Sequence, residues 1–147
     1  MFGYKSSQPN PSLVAVEQTG PVLVLTLNRP GKRNALNDPS VLELGRIFDA
    51  LTPDVKAVVI AGNGDHFCAG LDLSELADRD VPDGIQHSMM WHRIFERIQF
   101  GPVPVISVLK GAVIGGGLEL ATTTHIRVAE TSAYYALPEG QRGIFVG

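Results

Sequence analysis

The 147-residue sequence has little cysteine, little charge and no long hydrophobic stretch. Its single cysteine, Cys68, can form neither an internal disulfide nor a cysteine zinc site, so we expect a reducing, cytoplasmic setting. Charged residues make up 18% of the chain, the net charge is −3, and no basic run exceeds Lys32-Arg33, which argues against a nucleic-acid partner. No apolar stretch reaches the roughly 18 residues that a membrane span requires, so no membrane partner is expected.

Several catalytic and binding motifs are also missing. The sequence contains no G-x-x-x-x-G-K-[ST] phosphate loop, no G-x-G-x-x-G and no G-x-S-x-G nucleophile elbow. His87 and His92 are five positions apart rather than the four of a helical zinc pair, so no metal site is predicted. Cys68 lies beside a glycine turn but is better explained as a small buried side chain than as a nucleophile.

The length and the order of elements favour one α/β domain over residues 12–147, preceded by a loose lead-in over residues 1–11. Short apolar runs that predict strands alternate with amphipathic runs that predict helices, which is typical of a largely parallel sheet. The predicted strands are Leu13–Thr19, Val22–Leu27, Ala57–Ala61, Val103–Leu109, Ile126–Ala129 and Ala133–Ala136. The predicted helices begin at Asp38, with Asp38 itself as the cap, at about Asp83 and at Gly115.

Many of the sixteen glycines are concentrated in a few short stretches, and two glycine-bearing turns each follow a predicted strand. We call Phe67–Leu73 the first turn and Gly111–Leu120 the second turn, and we expect each to lead into a helix. Backbone N–H groups at a helix start have no partner inside the helix and lie at the positive end of its dipole. Two such groups aimed at one oxygen would form an oxyanion hole, although glycines before a helix can also serve packing alone.

Two glutamates accompany these turns. Glu119 lies in the first turns of the helix that begins at the second glycine cluster, and Glu139 follows in Leu137-Pro138-Glu139. A general base and a general acid on either side of a substrate carbonyl could move a proton at its α-carbon. Taken one at a time, such glutamates are more often solvated side chains, so spacing alone does not establish that they converge.

Four motifs in this order make the sequence resemble the enoyl-CoA hydratase/isomerase (crotonase) superfamily. They are Asn28-Arg29-Pro30 with Asn34-Ala35-Leu36, Phe67-Cys68-Ala69-Gly70-Leu71-Asp72-Leu73, Gly115-Gly116-Gly117-Leu118-Glu119-Leu120-Ala121, and Leu137-Pro138-Glu139. The resemblance implies a crotonase-like ββα spiral core that lacks the C-terminal helical part of a usual member. It also implies that the whole protein forms a homotrimer or a dimer of trimers, and that this chain alone exposes apolar surface.

The resemblance implies an acyl-CoA thioester substrate and no separate cofactor, since coenzyme A belongs to the substrate. By position, the N–H groups of Leu71 and Gly116 would form the oxyanion hole, with Glu119 as the base on water and Glu139 as the proton donor. The substrate-contacting residues would be Ala35, Ala69, Leu71, Asp72, Leu73, Gly115 and Gly116. Asp72 could instead cap a following helix.

Because both glutamates are present, the resemblance favours hydration of a 2-enoyl-CoA to a 3-hydroxyacyl-CoA. The alternatives are double-bond isomerisation or another reaction of the same enolate, and a non-catalytic acyl-CoA-binding subunit. Two positions depart from the usual family pattern: Ser74 replaces a lysine found in some members, and His125 replaces a common aspartate. Met89, Met90 and Trp91 fit either an acyl-chain pocket or the core.

Overall fold

The computed structural model describes residues 12–75 and 80–143, so the predicted lead-in over residues 1–11 and the last four residues lie outside the described part. Strands and helices alternate as the sequence predicts, and the α/β fold class is confirmed. The strands are β1 (Val14–Thr19), β2 (Val22–Leu27), β3 (Ala57–Gly62), β4 (Val105–Leu109), β5 (Ala112–Ile114), β6 (Ile126–Ala129) and β7 (Tyr134–Ala136). The helices are α1 (Asp38–Asp49), α2 (Val81–Gln99) and α3 (Gly116–Thr123).

The larger sheet has the strand order β1-β2-β3-β4-β6. Its first pair is an antiparallel hairpin, and the later pairs are parallel, as the alternation of strands and helices predicts. Every second residue of β2 and of β3 is buried, including Leu25 and Ile60 at 0% exposure. This alternation places one face of the sheet against the core, where α1 and α2 pack through Leu44 and Ile98.

Both long helices begin one or two residues earlier than the sequence predicts. Asn37, not Asp38, is the N-cap of α1, because its side-chain oxygen accepts the Ser40 N–H at 3.1 Å. Asp38 is therefore the first residue inside the helix. Its carboxylate does not cap α1 but contacts side chains of α2. The second helix starts two residues earlier than expected, at Val81, because Asp80 caps it and a proline suits its first turn.

A two-stranded parallel sheet, β5 with β7, stands apart from the larger sheet and carries the second turn. Strand β5 was not predicted, because three residues between glycines are too short to show a pattern. Isolated bridges attach other segments to this layer: Cys68 pairs with Val113, and Leu36 pairs with Leu71. The small sheet thus brings the two glycine turns together, although their paired residues Cys68 and Val113 are 45 positions apart in the sequence.

Apolar side chains remain exposed along β6 and β7. Ile126 and Val128 are 53% and 55% exposed, and Tyr134 and Tyr135 are 46% and 51% exposed. This matches the expectation that the chain alone presents apolar surface. Within the two described ranges, none of the helices combines the length and the hydropathy needed to cross a bilayer.

Candidate active site

The second turn has the geometry expected of a helix start. Gly115, the N-cap of α3, has a φ of 50°, a left-handed conformation that favours glycine. Its carbonyl oxygen accepts the Glu119 N–H at 2.9 Å, while its own N–H donates to the Ala136 carbonyl oxygen at 2.8 Å. The N–H of Gly116, the first helical residue, therefore has no acceptor within the helix. It lies at the positive end of the α3 dipole.

The helix expected after the first turn is, within the described residues, a 3-10 helix rather than an α-helix. This 3-10 helix covers Leu73–Glu75, and α2 begins only at Val81. Leu36 holds the first turn in an extended conformation: its N–H donates to the Gly70 carbonyl oxygen, and its carbonyl oxygen accepts the Asp72 N–H, both at 2.7 Å. In such a bridge the N–H of the middle residue, Leu71, points away from Leu36.

The two predicted donors, Leu71 N–H and Gly116 N–H, lie side by side. A Cβ placed on Gly116 would lie 3.7 Å from the Leu71 nitrogen, and one placed on Gly70 would lie 3.6 Å from the Gly116 nitrogen. Among the described residues, neither N–H has a hydrogen-bond acceptor. Two adjacent N–H groups without acceptors are the arrangement that an oxyanion hole requires.

The structure also brings Glu139 to the start of α3. A Cβ on Gly115 would overlap Oε1 of Glu139, so the carboxylate lies directly against this glycine. The other carboxylate oxygen, Oε2, is buried and has no hydrogen-bond partner among the described residues. Glu119 is half-buried, one helical turn after Gly115. Glu139, which belongs to a separate 3-10 turn, therefore lies against the residue that precedes the Gly116 donor, and Glu119 lies one turn further along α3.

Glu119 also lines a cavity of about 420 Å³ between α2 and α3. The cavity is open on one side, and its walls mix apolar and polar side chains. Phe95, Leu118 and Leu137 contribute the apolar part, whereas His92 and Glu96 are polar. Glu119, the residue predicted to activate water, therefore borders a space large enough for part of a small ligand, although Leu71, Gly116 and Glu139 are not among the residues that line it.

Asp72, predicted to contact substrate or to cap a helix, is buried and its carboxylate is already engaged. It accepts the Ser74 hydroxyl at 2.7 Å and a guanidinium N–H of Arg29 at 2.8 Å. The hydrogen bond from Ser74, and next the Arg29 guanidinium, lower the pKa of Asp72 to about 2. It also accepts the Ser74 N–H at 3.3 Å, as a cap does. The ion pair with Arg29 could not be found from the sequence.

The other predicted substrate contacts differ in exposure. Leu73 is 45% exposed, Ala69 is half-buried, and Ala35 is 9% exposed beside the same turn. The Ala69 N–H donates to the Arg33 carbonyl oxygen at 2.9 Å, so the first turn and the Asn34-Ala35-Leu36 segment lie next to each other. Gly115 and Gly116 are buried at the start of α3.

Two residues of uncertain purpose in the sequence have structural explanations. Cys68 is fully buried beneath Gly117, where a Cβ would lie 2.8 Å from its sulfur, so the prediction of a small buried side chain is confirmed. His125 joins two elements: its Nδ1 accepts the Val105 N–H at 3.0 Å, and its Nε2 lies 3.1 Å from the Gln99 carbonyl oxygen. Since Nδ1 accepts, Nε2 carries the hydrogen and donates it to Gln99.

Comparison with known proteins identifies the family. Residues 17–147 match the family model for enoyl-CoA hydratase/isomerase, which is most of the chain. The chain belongs to the enoyl-CoA hydratase/isomerase family. This confirms the resemblance carried by the four motifs, and structure neighbours confirm the crotonase fold.

Three relatives show how far the similarity extends. The short-chain-enoyl-CoA hydratase of Clostridium acetobutylicum is 34% identical over 137 residues, covering 91% of this chain and 52% of that protein. A crystal structure from Rhodopseudomonas palustris is 59% identical with a TM-score of 0.89, covering 97% of this chain and 55% of that one. A Thermobifida fusca protein solved with acetoacetyl-CoA is 27% identical, with a TM-score of 0.84, over 92% and 57% of the two chains.

The chain spans about half the length of the curated relatives it matches. Both glycine turns and both glutamates lie within the matched half.

Proposed function

We propose that this family member contributes the oxyanion hole and both acid–base groups of an enoyl-CoA hydratase. The observation that carries the proposal is the convergence at the start of α3. The adjacent N–H groups of Leu71 and Gly116 lie there, together with Glu139 packed on Gly115 and with Glu119 one turn along. The name of the Clostridium relative and the acyl-CoA bound by the Thermobifida protein support the same substrate class.

The mechanism follows from where charge develops. When the oxygen of water attacks C3 of a 2-enoyl thioester, negative charge moves onto the thioester oxygen, and two fixed N–H donors stabilise it there. The Glu119 carboxylate takes one proton from the attacking water. Glu139 delivers a proton to C2, and the proton that Glu119 took from water returns to Glu139 before the next turnover. The hydroxyl ends on C3, the proton on C2, and the product is a 3-hydroxyacyl-CoA.

The test uses the protein expressed from its complete coding sequence, mixed with crotonyl-CoA. Loss of the conjugated enoyl-thioester absorbance, with 3-hydroxybutyryl-CoA as product, is the expected result. Migration of a double bond in a 3-enoyl-CoA without hydration of crotonyl-CoA would instead support the isomerase alternative. Binding of acyl-CoA without any conversion would support a non-catalytic subunit.

We also propose that the whole protein assembles as a homotrimer or a dimer of trimers. The exposed apolar side chains of β6 and β7 support further packing on this face, since Val128 and Tyr135 are 55% and 51% exposed. Light scattering coupled to size exclusion gives the mass in solution. A monomer at micromolar concentration would contradict the assembly.

A further inference from the structure

Trp91 of α2 lies against the backbone of the Gly116 donor. Its Cζ3 atom is 3.1 Å, and its Cη2 atom 3.7 Å, from where a Cβ on Gly116 would be. The Leu71 nitrogen is 3.7 Å from the same point, so the indole ring borders the space next to both donors. Trp91 is only 6% exposed, and such a large rigid ring limits how far the start of α3 can shift toward α2.

The ring is held by a carboxylate on another helix. The Trp91 Nε1–H donates to Oδ1 of Asp38 at 3.0 Å. Nδ1 of His87 lies 2.6 Å from the same oxygen, and the His87 and Trp91 rings are in contact with centroids 5.0 Å apart. A buried indole N–H needs an acceptor, so this hydrogen bond fixes the orientation of the ring as well as its depth.

Asp38 is in turn tied to the other donor through the backbone. It lies two residues after Leu36, whose N–H and carbonyl oxygen hold Gly70 and Asp72 on either side of Leu71. A continuous path therefore runs from Leu71 through Leu36, Asp38 and Trp91 to Gly116. Each of its steps is a hydrogen bond, a short piece of chain or a van der Waals contact.

We propose that Trp91 and Asp38 are positioning residues that set the distance and direction between the Leu71 and Gly116 N–H groups. The inference rests on the proposed function insofar as those two groups receive the thioester oxygen. An oxyanion hole works only when both donors point at one place, and displacements below 1 Å reduce turnover strongly. Neither residue is required to touch the reacting atoms for this role.

Two variants of the protein from its complete coding sequence test the path at different steps. Trp91→Phe removes both the N–H and the indole contact with Gly116, whereas Asp38→Ala keeps the ring and removes its acceptor together with the contact to His87. We expect each to lower kcat for crotonyl-CoA by about tenfold with KM changed less than about twofold, because the loss is confined to the transition state. The double variant should lose no more than about twice the larger single effect, since both act through one path. Asp38→Asn keeps an acceptor oxygen and should recover most of the activity.

A spectroscopic measurement separates positioning from general destabilisation. Bound 2,4-hexadienoyl-CoA absorbs at longer wavelength when hydrogen bonds polarise its thioester carbonyl, and this red shift should shrink in Trp91→Phe and Asp38→Ala. Ile98→Val, a core change elsewhere on α2, serves as the matched control, since it should lower Tm slightly and leave kcat and the shift unchanged.

The outcomes are distinct. A full red shift and wild-type kcat in folded Asp38→Ala overturn the inference, and this variant decides the matter even if Trp91→Phe does not fold. A wild-type protein that shifts the dienoyl spectrum but does not hydrate crotonyl-CoA contradicts the hydratase proposal only, and the spectra of the variants still decide the role of Trp91. A wild-type protein that binds the dienoyl-CoA without any shift overturns the inference as well.

Discussion

The two glycine turns present similar backbone donors but are built differently. The second turn owes its Gly116 N–H to a helix start, with a left-handed Gly115 and the dipole of α3 behind it. The first turn owes its Leu71 N–H to an extended segment held from the side by Leu36. The carboxylate of the next residue, Asp72, forms an ion pair with Arg29.

The difference shows that local sequence determines one donor and long-range contacts determine the other. The helix start that presents the Gly116 N–H is encoded by consecutive residues from Gly115 onward, although Gly115 itself also donates to Ala136. The geometry of the first turn depends on a segment more than thirty positions earlier in the chain. At the second turn, substitutions of Gly116 itself should therefore reduce activity. At the first turn, a new side chain at Leu71 should be tolerated, whereas changes in the residues that hold the turn, such as Asp72, should matter.

The largest expected contrast is between the donor positions themselves. Gly116→Val places a side chain against the Trp91 ring and into the space between the donors, so turnover of crotonyl-CoA should fall by at least about 10³-fold. Leu71→Ala leaves its backbone N–H in place and should keep turnover within about threefold. Initial rates and circular dichroism check both.

Gly84→Val is the matched control for the glycine change. A Cβ at Gly84 meets no atom within 4 Å, so adding a side chain there should leave the rate near wild type. Turnover in Gly116→Val comparable to that of Gly84→Val would contradict the placement of the oxyanion hole.

The carboxylates come next in expected size. Glu119→Gln and Glu139→Gln keep shape and hydrogen-bonding capacity but lose the proton-transfer function, so each should lower kcat by at least about 10²-fold. Acyl-CoA should still bind to both, because the donors of the two turns are untouched. Isothermal titration with a 3-hydroxyacyl-CoA measures the binding. Near-wild-type turnover in either variant would be incompatible with the two-glutamate mechanism.

Much of the fold was foreseeable from the sequence, whereas the difference between the two turns was not, and the exceptions share one cause. Strands β2 and β6 have the predicted bounds, and the start of α3 was found because it depends on adjacent residues. After the first turn the described residues form a 3-10 helix over Leu73–Glu75, and the sequence did not reveal that Leu36 holds Gly70 and Asp72 in place before it. Contacts such as Arg29 with Asp72, or Asp38 with Trp91, join positions more than forty apart, which one sequence cannot pair.

The support of the first turn has a predictable pH dependence. The pKa of Asp72 in the folded protein is lowered to about 2 from its ordinary value of 3.8. Its contribution to stability is therefore fully present above about pH 4 and is lost as the pH falls toward 2. Asp72→Asn should lower Tm at pH 7 by about 5 °C and flatten the dependence of Tm on pH between about 4 and 2.

Thermal melts at a series of pH values make this measurement, and Asp49→Asn is the matched control. The Asp49–Arg97 pair has a similar distance of 2.8 Å, but its side chains are 56% and 44% exposed, so its removal should change Tm little. Equal decreases of Tm in the two variants would mean that the Asp72–Arg29 pair stabilises the protein no more than the exposed Asp49–Arg97 pair does.

The smallest expected effect concerns Cys68, which lies where the two turns meet. Burial raises the pKa of its thiol to about 12, so almost no thiolate forms at pH 8. Gly117 packs so closely on its sulfur that reagents reach the thiol only when α3 moves away from the first turn. Iodoacetamide should therefore label native protein at a small fraction of the rate seen in urea, as mass spectrometry can follow. Labelling at comparable rates would mean that the contact between the two turns opens readily. The packing of Cys68 on Gly117 could then not hold the Leu71 and Gly116 N–H groups at a fixed distance.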